Sequence, residues 1–470
     1  MGRTIDIFSD LHKRSWFQRV WTLQEIALAK KALVICGKST ISWDTLVWAV
    51  DRLRNAENTL GTYDVVSAMD SIVSAHQAVT RAILPRTETV DTLNPNPDRP
   101  VTTIVTRTLF KRATEDKDRI FGLYSVLKKT GAELPEPDYR RPVHEIFTEA
   151  ARLAIEKDNS LWLLDFVNGF TQRPDWPSWV PTWAESLEPA PVEANVFSAA
   201  GDSKPDFRFS ADGRRLTIRA KAIDEIALKA ERSPLKGSPF PLEYSDMDAS
   251  FAEGIENIVK AYQEWIILWM IFRQMAGNGP MNRYGNESRQ GQALVRVLVQ
   301  DFSIVPNAIE KAIEIMEGFN TWQLYLSATN PGSGMPMPLL EELLRRSPAT
   351  AEAIAAMPES HRHLAETNEW KIRQAIMQDS ESAVFENHVL LGCRGKLFFI
   401  TGEGFYGLAP ASIQTGDEVL LVSGLQFPLI ARKLNESQEY QLLGPAFIHG
   451  LMGGEVWPAV EGILDDITLV

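Results

Sequence analysis

Phe207-Arg208-Phe209-Ser210-Ala211-Asp212-Gly213-Arg214-Arg215-Leu216-Thr217-Ile218-Arg219-Ala220 sets two short runs with apolar residues at alternate positions around an Asp-Gly pair, the pattern of a β-hairpin. Two strands alone bury too little surface to stand in water. The segments able to complete a sheet come much later. Lys396 to Thr401, Glu418 to Ser423, Phe427 to Lys433 and Tyr440 to Leu443 are short apolar runs separated by Gly, Pro or Asn, the spacing of a small antiparallel barrel. The hairpin at 206 to 221 is therefore expected to join the strands after 387, with the chain between them inserted as helices.

Helical spacing occupies much of 250 to 385, broken by the Gly- and Asn-containing stretch 277 to 291 and by Asn330-Pro331-Gly332-Ser333-Gly334. Upstream of the hairpin, Trp16, Val20, Trp21, Leu23 and Leu28 recur at three- and four-residue intervals, which predicts one helix over 10 to 32. Ala32 to Cys36 reads as a strand closed by Gly37, and Ser42 as the cap of a helix from Trp43. The Pro-studded stretch 85 to 100 is a loop, 102 to 128 carries helices around Asp116-Lys117-Asp118-Arg119, and 142 to 157 is a helix. The Pro- and Trp-rich run Arg173 to Ala190 is extended and pinned by aromatic packing. The expected class is α+β: a largely helical region at 1–190, an antiparallel, barrel-like β module from 200–230 plus 387–460, and a helical insertion at 231–386.

Composition narrows the function. The 470 residues are 44% hydrophobic and 23% charged with a formal net charge of −13, which argues for ordered domains and against nucleic-acid binding. Cys36 and Cys393 stand too far apart for a disulfide scaffold or a zinc site and read as two separate buried thiols of a reducing compartment. No secretory signal is legible at the start of the sequence, and the eight-residue apolar block Trp265 to Phe272 is too short for a bilayer and reads as a buried helix. A cytoplasmic location without a membrane span is expected.

Several blocks, taken in order, resemble the fungal heterokaryon-incompatibility (HET) family: Trp16-Phe17-Gln18-Arg19-Val20-Trp21-Thr22-Leu23-Gln24-Glu25-Ile26, Asp118-Arg119-Ile120-Phe121-Gly122-Leu123, Pro137-Asp138-Tyr139 and Pro177-Ser178-Trp179-Val180-Pro181-Thr182-Trp183. Thr182 stands where the family usually has Asp. The C-terminal third is similar to the family as well, through Gly404-Phe405-Tyr406-Gly407-Leu408-Ala409-Pro410, Gly416-Asp417 and Phe447-Ile448-His449-Gly450-Leu451-Met452-Gly453-Gly454-Glu455. The Ser-Tyr-x-Trp-Gly and Asp-x-x-Cys-Ile-Asn-Gln type blocks that open the family domain do not occur, so the chain resembles a form lacking the N-terminal part of that domain, either truncated or an inactive remnant.

The resemblance implies nonself recognition and programmed cell-death signalling, with other proteins of an incompatibility system as partners. It also implies a distant relation to Toll/interleukin-1 receptor (TIR) domains, some of which cleave NAD with a helical Glu preceded four residues earlier by Trp. Trp21 and Glu25 have that spacing, which makes Glu25 the candidate catalytic carboxylate of a glycohydrolase and NAD its substrate, no resident cofactor being expected. The competing reading gives Glu25 a structural ion pair with Arg19. No GxGxxG, P-loop, G-x-S-x-G or HExxH pattern points to another chemistry. Asp116, Asp118 and Arg119 read as a solvated start of a helix held by local ion pairs. His361 and His363 lack a third ligand and read as surface residues, so no metal is expected. Trp176, Trp179 and Trp183 read as core packing, and Gly402, Gly404 and Gly407 as tight turns.

Overall fold

The computed structural model describes residues 14–60, 73, 99–106, 108–109, 111–169, 175–183, 197–234, 249–277, 281–300, 315–323, 376, 380–393, 395–434 and 438–470. His361, His363 and most of the 85 to 100 loop lie outside the described residues. The chain divides into two compact units, one made of Met1–Ile223, Val419–Pro445 and Leu451–Val470, the other of Asp224–Glu418 and Ala446–Gly450.

The first unit opens with two short helices, α1 (Ser15–Gln18) and α2 (Trp21–Ala27), where the periodicity predicted one. Arg19 interrupts them in an extended conformation because its backbone forms a bridge with Arg112, and the Val20 N–H donates to the Arg112 carbonyl at 3.1 Å. A hairpin follows, β1 (Leu33–Cys36) and β2 (Ser39–Ser42). Cys36, at its turn end, is exposed, so the expectation of two buried thiols holds only for Cys393. Ser42 caps α3 (Trp43–Leu60) as its position suggested, its hydroxyl accepting from the Thr45 N–H at 3.1 Å.

Helices α4 (Pro100–Thr106), α5 (Asp118–Phe121), α6 (Tyr124–Lys129) and α7 (Val143–Asp158) complete the helical layer. Helix α7 presents Ile146, Phe147, Ala150, Ala151, Ala154 and Ile155 as one buried stripe, and its alanines let α4 approach. Asp158 at its end accepts from Val101 N–H and Thr102 N–H at 3.2 and 2.6 Å, satisfying donors that the start of α4 leaves free. Next comes a 3-10 turn, Trp162–Phe166.

This layer packs on a sheet. The predicted hairpin forms from β3 (Phe207–Phe209) and β4 (Leu216–Lys229), with Gly213 at φ +69° in its turn. Strand β4 gives its first half to the first unit and its second half to the other. In the first unit it pairs with β11 (Asp465–Leu469), after which β9 (Glu439–Pro445), β8 (Leu429–Lys433) and β7 (Glu418–Val422) follow. The hairpin thus joins the later strands. The sheet is mixed, however, and not wholly antiparallel: β11 runs parallel to β9, because the chain returns through a long connection before entering between β4 and β9. Leu216, Ile218, Ala220, Leu420, Leu442 and Ile467 meet the stripe of α7 in one continuous core.

In the second unit the far half of β4 pairs with β5 (Lys396–Thr401), then β6 (Tyr406–Pro410), then β10 (Phe447–Ile448), all antiparallel. Helices α8 (Ala249–Ala276), α9 (Glu287–Leu298) and α10 (Ser380–Cys393), with a further helical stretch at 315–323, accompany them. Helix α9 starts inside the stretch read as an interruption, with Asn286 accepting from the Arg289 N–H at 3.0 Å as its cap. Helix α8 is not buried all round. Trp265, Trp269 and Phe272 are covered, while Ile267, Met270, Ile271 and Met275 are exposed. Among the described residues no helix is long and apolar enough to cross a membrane.

Candidate functional site

In the first unit the fold gathers the ordered motif blocks around α2. Trp21 is half-buried and Glu25 exposed, one turn apart on the helix. The ring of Trp21 lies against Gly122, where a Cβ would sit 3.7 Å from Trp21 Cδ2 and 3.6 Å from Val20 Cγ2, so the first two blocks touch. Trp16 packs edge-on against Phe17 and Trp43 at 5.0 and 6.5 Å, Gln24 is half-buried and Arg19 is exposed.

One buried cation fastens α1 to the loop before α5, and a second ties that loop to α5 itself. Lys111 Nζ donates to the Phe17 carbonyl at 2.6 Å. Arg119 Nη1 donates to the Thr108 carbonyl at 3.2 Å and to the Lys111 carbonyl. Arg119 is therefore no solvated residue of a helix start, as the charge spacing suggested. It is 7% exposed, Asp116 stands 4.0 Å away, and burial lowers its pKa against the opposing pull of that carboxylate. The buried charge is stabilised by backbone carbonyls that accept hydrogen bonds from it, the Thr108 carbonyl being shared with the Lys111 N–H at 3.1 Å.

The Pro-Asp-Tyr block closes over the same place. Tyr139 donates its hydroxyl to Asp118 at 2.5 Å, a bond that with burial raises its pKa to about 12, and Lys117 Nζ donates to the Tyr139 carbonyl at 2.5 Å. The Tyr139 ring rests on Phe121 at 4.9 Å. Asp138 is held by Arg140 through its backbone N–H and guanidinium at 2.9 to 3.0 Å, which lowers its pKa to about 2.

The Pro-Ser-Trp block is a strap pinned by its tryptophans as expected, but at 177–180 it turns instead of running extended, the Val180 N–H donating to the Pro177 carbonyl at 3.1 Å. Trp179 and Trp183 are fully buried, their indole N–H groups donating to the Arg214 carbonyl at 3.0 Å and the Val105 carbonyl at 2.8 Å. Pro181 is buried between them. Ser178 joins the strap to the sheet by accepting from the Leu442 N–H at 2.9 Å and donating its own N–H to the Val470 carbonyl at 2.8 Å.

In the second unit the C-terminal blocks converge on an aromatic cluster. Strand β10 pairs with β6 at Phe447–Leu408 and Ile448–Gly407, and the His449 N–H donates to the Tyr406 carbonyl at 3.0 Å. The hydroxyl of Tyr284 donates to the His449 carbonyl at 3.0 Å and accepts from the Tyr406 N–H at 3.1 Å, while its ring stacks on His449 at 5.4 Å. Burial lifts the Tyr406 phenol to about 12. Tyr284 was not singled out in the sequence; the capping Asn286 two residues on was the available signal. Gly407 lies within β6 with its missing Cβ against the Phe399 ring, so it serves close strand packing and not a turn. Gly404 and Gly450, at φ +82° and +92°, do make turns. Gly416 and Asp417 close another: the buried Asp417 carboxylate accepts from the Gln414 N–H at 2.6 Å. Glu455, in the first unit, is exposed and accepts from the Gly453 N–H at 2.9 Å.

Comparison with known proteins places these motifs. The family of the Het-6 β-barrel domain matches residues 244–462. Heterokaryon incompatibility protein 6, OR allele, of Neurospora crassa is 22% identical over 493 residues, a match that takes in 96% of this chain. Both matches support the resemblance of this chain to the fungal HET family. The chain spans 65% of the length of that relative, and no solved structure matches it significantly. The Trp- and Gly-rich blocks that carry this resemblance are, in this chain, packing and turn residues, the indoles donating to the backbone of neighbouring segments.

Proposed function

We propose that this chain acts in heterokaryon incompatibility, as a cytoplasmic protein that takes part in nonself recognition and cell-death signalling by contacting other proteins of that system. The observation that carries the reading is the extent of the similarity to heterokaryon incompatibility protein 6, which covers 96% of this chain and not one domain alone. The reading is supported by the use made of the motif residues: Lys111, Arg119, Asp118, Tyr139, Trp179 and Trp183 spend their polar groups on the fold, which suits a scaffold for binding more than a reaction centre. The test is to express the chain in a fungal strain that carries a different allele at the corresponding incompatibility locus and to score uptake of a vital dye. Death in that strain and not in a strain of matching allele is expected; equal viability in both refutes the proposal.

A second reading rests on one feature of α2. Glu25 is exposed one turn after the half-buried Trp21, the arrangement a TIR-like NAD glycohydrolase would use. In that reading Glu25 stabilises the oxocarbenium ion formed as the nicotinamide bond breaks, and NAD is a substrate. NAD consumption by purified chain, lost in Glu25→Ala, supports it; no turnover by the chain, alone or with its incompatibility partners, removes it.

A further inference from the structure

The hairpin β1–β2 of the first unit is a sheet of two strands with an open edge. The Trp43 N–H donates to the Ala32 carbonyl at 3.0 Å, and the register sets Val34 against Ile41 and Cys36 against Ser39, so Ala32, Val34 and Cys36 are the positions bonded to the β2 side. By the alternation of an antiparallel ladder, the N–H and C=O groups of Leu33 and Ile35 point away from β2, and among the described residues nothing pairs with them. Their side chains share one face, 67% and 70% exposed, while Val34 on the other face packs on the small core of Phe17, Ile26, Trp43 and Leu46. No charge interrupts Leu33-Val34-Ile35-Cys36, and Gly37 at φ +60° ends the strand in a turn. An uncharged edge of this kind is a template for another strand. The β2 edge is poorer, since it offers Thr40 and Ser42, and Ser42 is engaged in capping α3.

We infer that β1 is a docking edge for an extended segment of a partner protein, one whose alternating apolar residues are flanked by Asp or Glu, and which adds as a third strand with its apolar side chains beside Leu33 and Ile35. The inference takes from the proposed function only that the partner is a protein. Charge selects this occupant. Lys30 and Lys31 stand exposed at one end of the strand and Lys38 exposed at the other, and among the described residues none of the three has an ion pair. The same lysines disfavour a second copy. The outward groups of two identical edges engage with Leu33 opposite Ile35, and that antiparallel pairing carries Lys38 of each copy to the end that holds Lys30 and Lys31 of the other; parallel pairing sets each lysine beside its own counterpart. A strand flanked by carboxylates meets opposite charge at both ends in either direction. The net charge of −13 on the whole chain does not reverse this, since screening confines exposed charges to about 8 Å at physiological ionic strength.

The experiment is fluorescence anisotropy of a labelled peptide, Asp-Glu-Val-Thr-Val-Thr-Glu-Asp, titrated with the full chain, beside a peptide with Lys at every acidic position. Saturable binding of the acidic peptide, and not of the basic one, is expected. Lys30→Glu with Lys31→Glu and Lys38→Glu, all at exposed positions, should weaken that binding about tenfold and favour the basic peptide instead. Ile35→Pro removes one outward N–H and no bond of the β1–β2 ladder, so it should abolish binding in a chain that circular dichroism shows to be folded. Amide exchange gives the local signature, with new protection at Leu33 and Ile35 when the peptide binds. Absence of binding at millimolar peptide, equal binding of both peptides, binding indifferent to Ile35→Pro, or protection that falls elsewhere each overturns the inference. A dimer of the parent chain that Ile35→Pro dissolves overturns it too, by making a second copy the occupant. These readings use purified protein, so they can fail while the viability assay succeeds, and the reverse.

Discussion

Replacing Asp165 with Asn is expected to flatten the pH dependence of the first unit's stability. Asp165 sits in the 3-10 turn Trp162–Phe166 with both carboxyl oxygens buried and without a hydrogen-bond partner among the described residues. Burial pushes its pKa up from 3.8 to about 8, and the charge of Arg99 only partly opposes this. In the unfolded chain the group ionises near its ordinary value, so between that value and 8 the folded protein holds a proton that unfolding releases. Stability is therefore fully present below pH ~4 and falls as pH rises, by about 1.4 kcal/mol per unit, until it levels near pH 8. At pH 7, roughly three units above the ordinary carboxylate value, the cost is about 4 kcal/mol. An amide in the same place still lacks hydrogen-bond partners, but its cost does not change with pH. Urea denaturation followed by tryptophan fluorescence at pH 5, 6, 7 and 8 should show Asp165→Asn gaining on the parent protein at every step. Parallel curves, with a constant gap from pH 5 to 8, would refute the argument that Asp165 is buried in its protonated form.

Other substitutions test the contacts around the motif blocks. Trp183→Phe removes the indole bond to the Val105 carbonyl and leaves a void in a fully buried place, and should cost about 2 kcal/mol in urea denaturation. Arg119→Met removes the guanidinium from the Lys111 carbonyl and from the Thr108 carbonyl, which keeps the Lys111 N–H, and should cost about 2 kcal/mol; Arg119→Lys should recover little, because an ammonium on a single flexible stem does not reproduce the guanidinium's geometry. Tyr284→Phe deletes the hydroxyl shared by Tyr406 and His449 and should lower stability by about 2 kcal/mol, with faster amide exchange at Tyr406 as the local signature.

The sequence was most legible where local chemistry and tertiary need agree. Asp212-Gly213 announced a hairpin turn, and the marginal stability of two strands required partners, which β11 and β5 supply. The Trp-rich strap was readable because indoles in a Pro-fixed segment have few alternatives to burial. Strand β11 was not, since Asp465-Asp466 at its start hides a short apolar alternation, and only pairing with Arg208, Arg219 and Lys221 explains those carboxylates. Arg119 misled for a related reason: charge spacing suggests solvent, and nothing local shows that two carbonyls await a buried guanidinium. The break at Arg19 likewise depends on Arg112, which is distant in sequence. In the candidate site the blocks themselves were visible, but Tyr284, which ties two of them together, lay in a stretch that Gly and Asn made look irregular.

The measurement that bears most directly on the proposed role is viability in the incompatible strain, scored together with NAD content, for the parent chain, Glu25→Ala and Trp183→Ala. Signalling by protein contacts predicts death with the parent chain, death retained in Glu25→Ala with NAD unchanged, and death lost in Trp183→Ala as the strap and its sheet come apart. Unaltered viability with the parent chain, or death that disappears in Glu25→Ala together with NAD depletion, would contradict it.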